Sequence, residues 1–232
     1  MKSLQSIEMF QGIHQYKRDG NQNLLFNMVL KLYEQSNILV IGATGSGKTT
    51  AILSIIKRKL VTPAPEKIYF MYAAHQPFMD TWNEDPDNQK IEFIEGLKLE
   101  VLDEYKGPKL LVIDDLILSL SRDLVNHFLA GSHHKNTTTI FTTHSVFLNN
   151  DMYRLISNNS QYIMLFKNKR NLSQVKLLAH QILEKESNRL LEAYKYIAPY
   201  EFVLISCHPK VPDELLVTAD FFKQCQSVFL QS

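Results

Sequence analysis

Short apolar runs alternate along the chain with segments whose apolar residues recur at helical spacing. An apolar run of about four to eight residues is typical of a buried strand, whereas spacing of three and four indicates a helix. The predicted strands are 38–41, 67–73, 109–113, 137–143, 162–166 and 200–206, and the predicted helices are 24–32, 48–60, 116–129 and 172–196. Because strands alternate with helices, the sequence predicts an α/β three-layer sandwich, with a mostly parallel sheet and helices on both faces.

The length of 232 residues suits one domain of this class. We expect an N-terminal extension with a lead-in helix over 1–35 and the folded domain over 36–232. The formal net charge is +1, so a contact with nucleic acid would need a local basic patch. Two cysteines are too few for a disulfide framework, which favours an intracellular location. There is no run of about 18 apolar residues, so we expect no membrane partner.

A glycine-rich segment between the first predicted strand and the next predicted helix carries the strongest chemical signal. It reads Gly42-Ala-Thr-Gly-Ser-Gly-Lys-Thr49 and fits the pattern G-x-x-x-x-G-K-[ST] at every fixed position. Glycines allow such a loop to aim several backbone N–H groups at one point, where phosphate groups bind beside a helix N-terminus. This P-loop predicts that ATP is held by Gly42, Ala43, Thr44, Gly45, Ser46, Gly47, Lys48, Thr49 and Thr50. A chance glycine-rich turn is the alternative, which the strand–loop–helix context disfavours.

Two carboxylates end the apolar run 109–113. Ligands of open α/β sheets bind outside the carboxyl ends of the strands, so both side chains should face the P-loop. Asp114 is the predicted Mg²⁺ ligand together with Thr49, as in a Walker B motif. Asp115 is predicted to orient or deprotonate the attacking water, and Lys48 to contact the β and γ phosphates. The alternative for Asp115 is a cap on the helix that follows it.

The strand 137–143 ends in polar residues. In P-loop ATPases with an extra strand between the two Walker strands, this position holds a polar sensor of the γ phosphate. Thr143 and His144 are the candidates, because a neutral imidazole can donate a hydrogen bond to a phosphate oxygen or polarise a water. For His144, the sensor role and a purely structural role at the end of the strand are equally good interpretations.

Taken together, these elements resemble the DNA-packaging ATPases of the FtsK–HerA superfamily. The chain is most similar to those of Maverick/Polinton elements, adintoviruses and virophages, distant relatives of the poxvirus packaging ATPase. The segments that carry the resemblance are 41–49, 68–77, 111–116, 131–136, 159–170, 174, 178–181 and 208–215. Two segments depart from the pattern. Thr143-His-Ser145 stands where the family commonly has Thr-Gln-Asn, and Lys169-Arg-Asn171 stands where it has Pro-Arg-Asp.

The resemblance implies a P-loop fold of the ASCE type and an ATPase that uses Mg²⁺ to move double-stranded DNA into a capsid. It further implies a homo-oligomeric ring, a capsid or portal-type vertex protein as partner, and an intracellular or virion-associated location. Arg154 and Arg170 are candidates for a finger supplied to a neighbouring subunit, with surface charge as the alternative for each. Two other functions stay open: a helicase or DNA-transport ATPase without a capsid role, and a non-catalytic module switched by nucleotide.

Overall fold

The computed structural model describes residues 16–18, 24–26, 30–168, 170, 172–223 and 226–229, excluding the side chains of 16–18, 24–26 and 133. Thirteen strands occur in this part of the chain. They are β1 Tyr16–Arg18, β2 Leu24–Phe26, β3 Leu32–Tyr33, β4 Asn37–Ile41, β5 Val61–Thr62, β6 Lys67–Tyr72, β7 Glu92–Glu95, β8 Lys109–Asp114, β9 Thr137–Thr143, β10 Tyr162–Phe166, β11 Phe202–Ser206, β12 Val217–Ala219 and β13 Gln226–Val228.

The same residues form helices of very different lengths. The α-helices are α1 Lys48–Lys57, α2 Phe78–Thr81, α3 Arg122–Asn126, α4 Ser132–His134, α5 Asp151–Asn158, α6 Leu172–Leu183 and α7 Ser187–Tyr196. A π-helical segment, His127–Gly131, joins α3 to α4. Short 3₁₀ turns lie at Trp82–Glu84, Leu99–Asp103, Ile117–Ser119, Glu184–Glu186 and Asp213–Leu215.

Eleven of these strands form one sheet in the order β1-β2-β13-β12-β11-β10-β4-β9-β8-β6-β7, and β3 pairs with β5 separately. The six strands from β10 to β7 are parallel, whereas the five on the other side join by antiparallel pairs. Strand β9 lies between β4 and β8 and pairs with both. The predicted α/β fold is therefore confirmed, including the extra strand between the strand before the P-loop and the strand that ends in Asp114.

Apolar side chains fill both faces of this sheet. Leu39 and Ile41 of β4 pack into a core with α3, α5, α6 and α7. Ile38 and Val40 of the same strand pack into a second core with α1. Successive side chains of a strand point to opposite faces, so a continuously apolar strand requires helices on both sides. The carboxyl ends of β4, β9 and β8 lie side by side, and the P-loop follows β4 at that edge.

Three predicted helices differ from the structure. The predicted lead-in helix 24–32 is wrong. Leu24–Phe26 is strand β2, which pairs with β13, and strand β3 begins at Leu32. Residues 27–29 lie outside the described part of the chain. The helix predicted over 116–129 is broken into the 3₁₀ turn, α3 and the π-helical segment, because Ser121 caps α3 by accepting a hydrogen bond from the Leu124 N–H. The helix predicted over 172–196 is split at Glu184, whose φ of 43° cannot continue a right-handed helix.

The boundary between an extension and a domain at residue 35 stays a prediction. In the described part of the chain, no helix has the length and apolar character needed to cross a membrane.

Candidate active site

The P-loop leaves the carboxyl end of β4 and enters α1. Gly45 and Gly47 have φ angles of 73° and 97°, a region that side chains disfavour. A Cβ on Gly42 would lie 2.4 Å from Ser46 Oγ and 2.8 Å from Phe166 Cβ, so the loop packs closely against β10. Helix α1 begins at Lys48, directly after the loop. The N–H groups of its first turn lack partners within the helix and face the space where an anion would bind.

Lys48 is buried, with 6% of its surface exposed. Its Nζ donates to the carbonyl oxygens of Gly42 at 2.9 Å and Ala43 at 3.2 Å. Burial lowers the pKa of Lys48, although the nearby carboxylates of Asp115 and Asp114 act in the opposite direction. The ammonium group therefore lies over the loop, near the carboxylates of Asp115 and Asp114.

Asp114 ends β8 and is 1% exposed. Three side chains donate to its carboxylate: Thr142 Oγ1 to Oδ1 at 2.9 Å, and Gln76 Nε2 and Thr49 Oγ1 to Oδ2 at 3.1 Å and 3.3 Å. Burial raises the pKa of Asp114, and these hydrogen bonds oppose that change. A buried carboxylate held in this way is fixed in orientation and is stabilised by any further positive charge.

Asp115 follows in a left-handed conformation, with a φ of 56°. Such a backbone is strained for a non-glycine residue and is held here by the hydrogen bond from Asp115 N to Thr142 Oγ1, 2.9 Å long. The next helical turn, Ile117–Ser119, has Leu116 at its N-cap and no side-chain cap. Asp115 therefore does not cap it, and its carboxylate, 45% exposed, remains directed into the site.

His144 connects the lysine to this second carboxylate. Its Nδ1 lies 3.4 Å from Lys48 Nζ, and its Nε2 lies 3.3 Å from Asp115 Oδ1. Nδ1 also lies 3.4 Å from the carbonyl oxygen of Gly42, so the ring is placed between the P-loop, Lys48 and Asp115. Thr143 faces the other side of β9, where its hydroxyl lies 3.5 Å from Ser145 N. Of the two sensor candidates, the structure places His144 in the cluster and Thr143 outside it.

The two candidate finger arginines lie on the surface. Arg154 Nη2 pairs with Asp151 of its own helix at 3.0 Å, and its side chain is 71% exposed. Arg170 is exposed, and its backbone N–H donates to Asn168 Oδ1. Within the described residues, neither guanidinium forms an ion pair with Asp114 or Asp115. Both arginines are exposed and can meet a neighbouring molecule, which is the property that a finger acting between subunits needs.

The oxygens at Asp114 and Thr49 suit a magnesium ion. Mg²⁺ in nucleotide sites is usually bound by one or two protein oxygens together with substrate phosphates, and it prefers hard oxygen ligands. Here a buried carboxylate and a hydroxyl lie 3.3 Å apart at the start of α1. The residues present therefore fit Mg²⁺ brought with a nucleotide.

Two residues of this cluster were not predicted from the sequence as site residues. Gln76 lies after β6, and Thr142 lies within β9, yet both donate to Asp114. Thr142 follows the apolar pair Ile140-Phe141, and Gln76 lies two residues beyond the run that ends at Ala74, which is the available signal. That signal does not reveal which carboxylate they meet, because the contacts join residues that are far apart in the chain.

Comparison with known proteins bears on the family and the fold. Residues 16–75, about a quarter of the chain, match the FtsK/SpoIIIE family. The amino-acid sequence matches no curated protein significantly.

The fold is similar to two viral packaging proteins. The genome packaging NTPase B204 from Sulfolobus turreted icosahedral virus 2, in complex with ATP-gammaS, is 12% identical with a TM-score of 0.54. B204, the DNA-packaging ATPase from Sulfolobus turreted icosahedral virus, is 14% identical with a TM-score of 0.54. Each alignment covers 76% of this chain and 95% of the other. The chain therefore has the α/β fold of P-loop NTPases, and the partial family match supports the FtsK–HerA superfamily.

Proposed function

We propose that this protein is an ATP-hydrolysing motor that moves double-stranded DNA into a capsid. The observation that carries the proposal is the single cluster in which Lys48, Asp114, Asp115 and His144 meet at the mouth of the P-loop. The partial match to the FtsK/SpoIIIE family and the fold shared with viral packaging NTPases support DNA as the object that is moved.

Each side chain has a role in this chemistry. The P-loop N–H groups and Lys48 bind the phosphates, and Lys48 neutralises charge on the β and γ groups. The half-exposed carboxylate of Asp115 orients the attacking water and accepts its proton. His144 Nε2 lies 3.3 Å from Asp115 Oδ1, and a proton on this nitrogen would be available to a γ-phosphate oxygen when ATP binds. Thr49 and Asp114 would hold Mg²⁺, which would supply further positive charge at the phosphates.

A ring of identical subunits follows from the same proposal. Arg154 or Arg170 of one subunit would complete the site of the next and neutralise charge that develops on the γ phosphate. The motor's partner at the capsid would be a capsid protein or a portal-type vertex protein. The place of action would be intracellular, or within the virion.

ATP turnover in the presence of Mg²⁺, with and without double-stranded DNA, tests the proposal. We expect turnover that DNA increases. Asp115→Asn should lower it on the order of 10²–10⁴-fold, the usual contribution of a general base. Lys48→Ala should abolish it. Lys57→Ala is the matched control, because this lysine lies on α1 with a 55% exposed side chain and pairs with an exposed aspartate, Asp85.

The alternatives give different results. Binding of ATP without turnover, unchanged by Asp115→Asn, would show a nucleotide-switched module and contradict the motor. DNA-stimulated turnover with strand separation and without transfer of DNA into capsids would show a helicase.

A further inference from the structure

An exposed aromatic residue lies directly beside the P-loop. Tyr200 precedes β11, and 75% of its surface is exposed. Its Cβ lies 3.8 Å, and its carbonyl oxygen 3.7 Å, from the position that a Cβ on Gly47 would occupy. Tyr200 also has a φ of 68°, which is strained for a residue with a side chain. A strained, exposed tyrosine that contacts the phosphate loop has no role in the core.

Tyr200 forms one wall of a cavity of about 120 Å³. The cavity is lined by Tyr200, Glu201, Phe202, Asp220, Phe221, Phe222 and Lys223. Sites for whole small molecules usually measure about 300–1,000 Å³, so this cavity suits one part of a larger ligand. Its aromatic lining favours a flat, apolar group.

The opposite wall is held firmly. Arg58 Nη1 donates to the Phe222 carbonyl at 2.7 Å, and the guanidinium lies 5.1 Å from the centre of the Phe222 ring. Lys223 bridges Glu201 at 3.0 Å and Asp220 at 2.5 Å, which ties the two loops that line the cavity to each other. Asp220 Oδ2 accepts from Ser227 Oγ at 2.7 Å. These contacts fix the cavity before any ligand binds.

The sheet order decides which part of a nucleotide reaches the cavity. Asp114 ends β8, Asp115 follows it, and His144 follows β9; both strands lie on one side of β4. The γ phosphate belongs at that side, next to these residues. The triphosphate lies along the P-loop, with the γ phosphate at one end. The sugar and base therefore lie beyond the other end of the P-loop, on the side of β4 that carries β10, β11 and β12. Tyr200 precedes β11 and Phe222 follows β12, which places the cavity at that end.

We propose that Tyr200 and the Phe222 loop form the subsite for the base of the bound nucleotide, with the Tyr200 ring as a stacking surface. This proposal rests on the proposed function, because it concerns the same bound ATP. It identifies determinants of nucleotide affinity that lie outside the P-loop and the Walker B strand.

Calorimetric titration with two ligands tests the subsite. One ligand is a non-hydrolysable ATP analogue, and the other is inorganic tripolyphosphate, which has the phosphates without the base. Tyr200→Ala should weaken binding of the analogue about tenfold, the effect expected from losing one base–aromatic stack, and should leave tripolyphosphate binding unchanged. Tyr200→Phe should retain the wild-type affinity for both. Tyr105→Ala is a control, since Tyr105 precedes the amino end of β8, whereas the P-loop lies at the carboxyl ends of the parallel strands.

The outcomes separate this subsite from the proposed function. If Tyr200→Ala binds the analogue as tightly as the wild type, the subsite is refuted while nucleotide binding stands. If Tyr200→Ala weakens both ligands equally, the residue supports the loop and does not contact the base, which also refutes the subsite. A wild-type protein that binds neither ligand would overturn the proposed function as well.

Discussion

Thr142 connects the two carboxylates of the site through one hydroxyl group. It accepts from the Asp115 N–H at 2.9 Å and donates to Asp114 Oδ1 at 2.9 Å, and the residue itself is fully buried. One oxygen therefore holds the strained backbone of Asp115 and the orientation of Asp114 at the same time. This arrangement makes Thr142 a positioning residue for both, although it need not touch the nucleotide.

Thr142→Val should remove both hydrogen bonds with almost no change in shape. The Asp115 N–H would lose its acceptor, and the Asp114 carboxylate would lose a donor. Together these losses should lower the free energy of unfolding by about 3 kcal/mol. Urea unfolding measures this loss, and Thr142→Ser should restore most of it. Thr143→Val on the other face of β9 is the matched control and should cost less, because its hydroxyl lies 3.5 Å from both Ser145 N and Ser145 O and contacts neither carboxylate of the site. Equal losses at the two positions would refute the role given to Thr142.

The sequence predicts the parts of the site that a local motif carries. The spacing of Gly42, Gly47, Lys48 and Thr49 locates the phosphate loop. The apolar run 109–113 locates the strand whose carboxyl end carries Asp114. Gln76 and Thr142 could not be assigned in this way, since their partner is 38 and 28 residues away in the chain. Such contacts depend on the order of strands in the sheet, which local patterns do not contain.

At the scale of elements, the π-helical segment His127–Gly131 carries a buried histidine. His127 is 4% exposed, and its Nε2 lies 2.7 Å from Thr139 Oγ1 on β9. Burial, assisted by the positive charge of Lys135, lowers the pKa of His127 to about 4. The histidine therefore stays neutral in the native state at pH values where an exposed one is protonated.

This difference predicts a pH dependence of stability. Between about pH 6.5 and about pH 4 the unfolded chain binds a proton that native His127 does not, so stability falls as the pH falls, by about 3 kcal/mol in all. Below that window the histidine contributes no further change. Unfolding free energies of wild type and His127→Gln across this range measure the effect. The variant should have a shallower slope, and His134→Gln, on the exposed surface, should keep the wild-type slope. Parallel curves for wild type and His127→Gln would contradict the assignment.

Elements with a continuous apolar run were predicted best. Strands β4, β8, β9 and β10 are buried on both faces, so their sequences contain little else than apolar and threonine residues. Strand β7 was missed because only Ile94 of its four residues is buried. Helix α5 was missed because it has just two buried residues, Tyr153 and Ile156, although Asn150 caps it by accepting from the Tyr153 N–H. An element with few buried residues therefore shows only a weak pattern of apolar residues in its sequence.

At the scale of the whole molecule, the antiparallel strands beyond β10 were not predicted, apart from β11. Strands β12 and β13 have three residues each, and β2 reaches them from the N-terminal part of the chain. Three residues are too few to show a period. Their addition nevertheless has a functional consequence, because β11 and β12 place Tyr200 and Phe222 at the edge where the P-loop lies.

The proposed ring makes a prediction that a single subunit cannot test. In a ring built by head-to-tail contacts, each site faces a different surface of the neighbouring subunit, so a finger and the site it completes belong to different chains. Arg154 and Arg170 are both exposed and unconnected to the carboxylates of their own site. If one of these arginines is the finger, the protein in which it is changed to Ala should lose ATP turnover and still bind ATP.

Mixing two inactive variants decides whether that arginine acts between subunits. Lys48→Ala subunits lack a working P-loop but keep their arginines, and Arg154→Ala or Arg170→Ala subunits keep the P-loop. With random mixing in equal amounts, about a quarter of the contacts join an intact site to an intact finger, so about a quarter of wild-type turnover should return. Light scattering of each mixture confirms assembly. No recovery from an assembled mixture would place the arginine within its own site, and full activity of both arginine variants would exclude both residues as fingers.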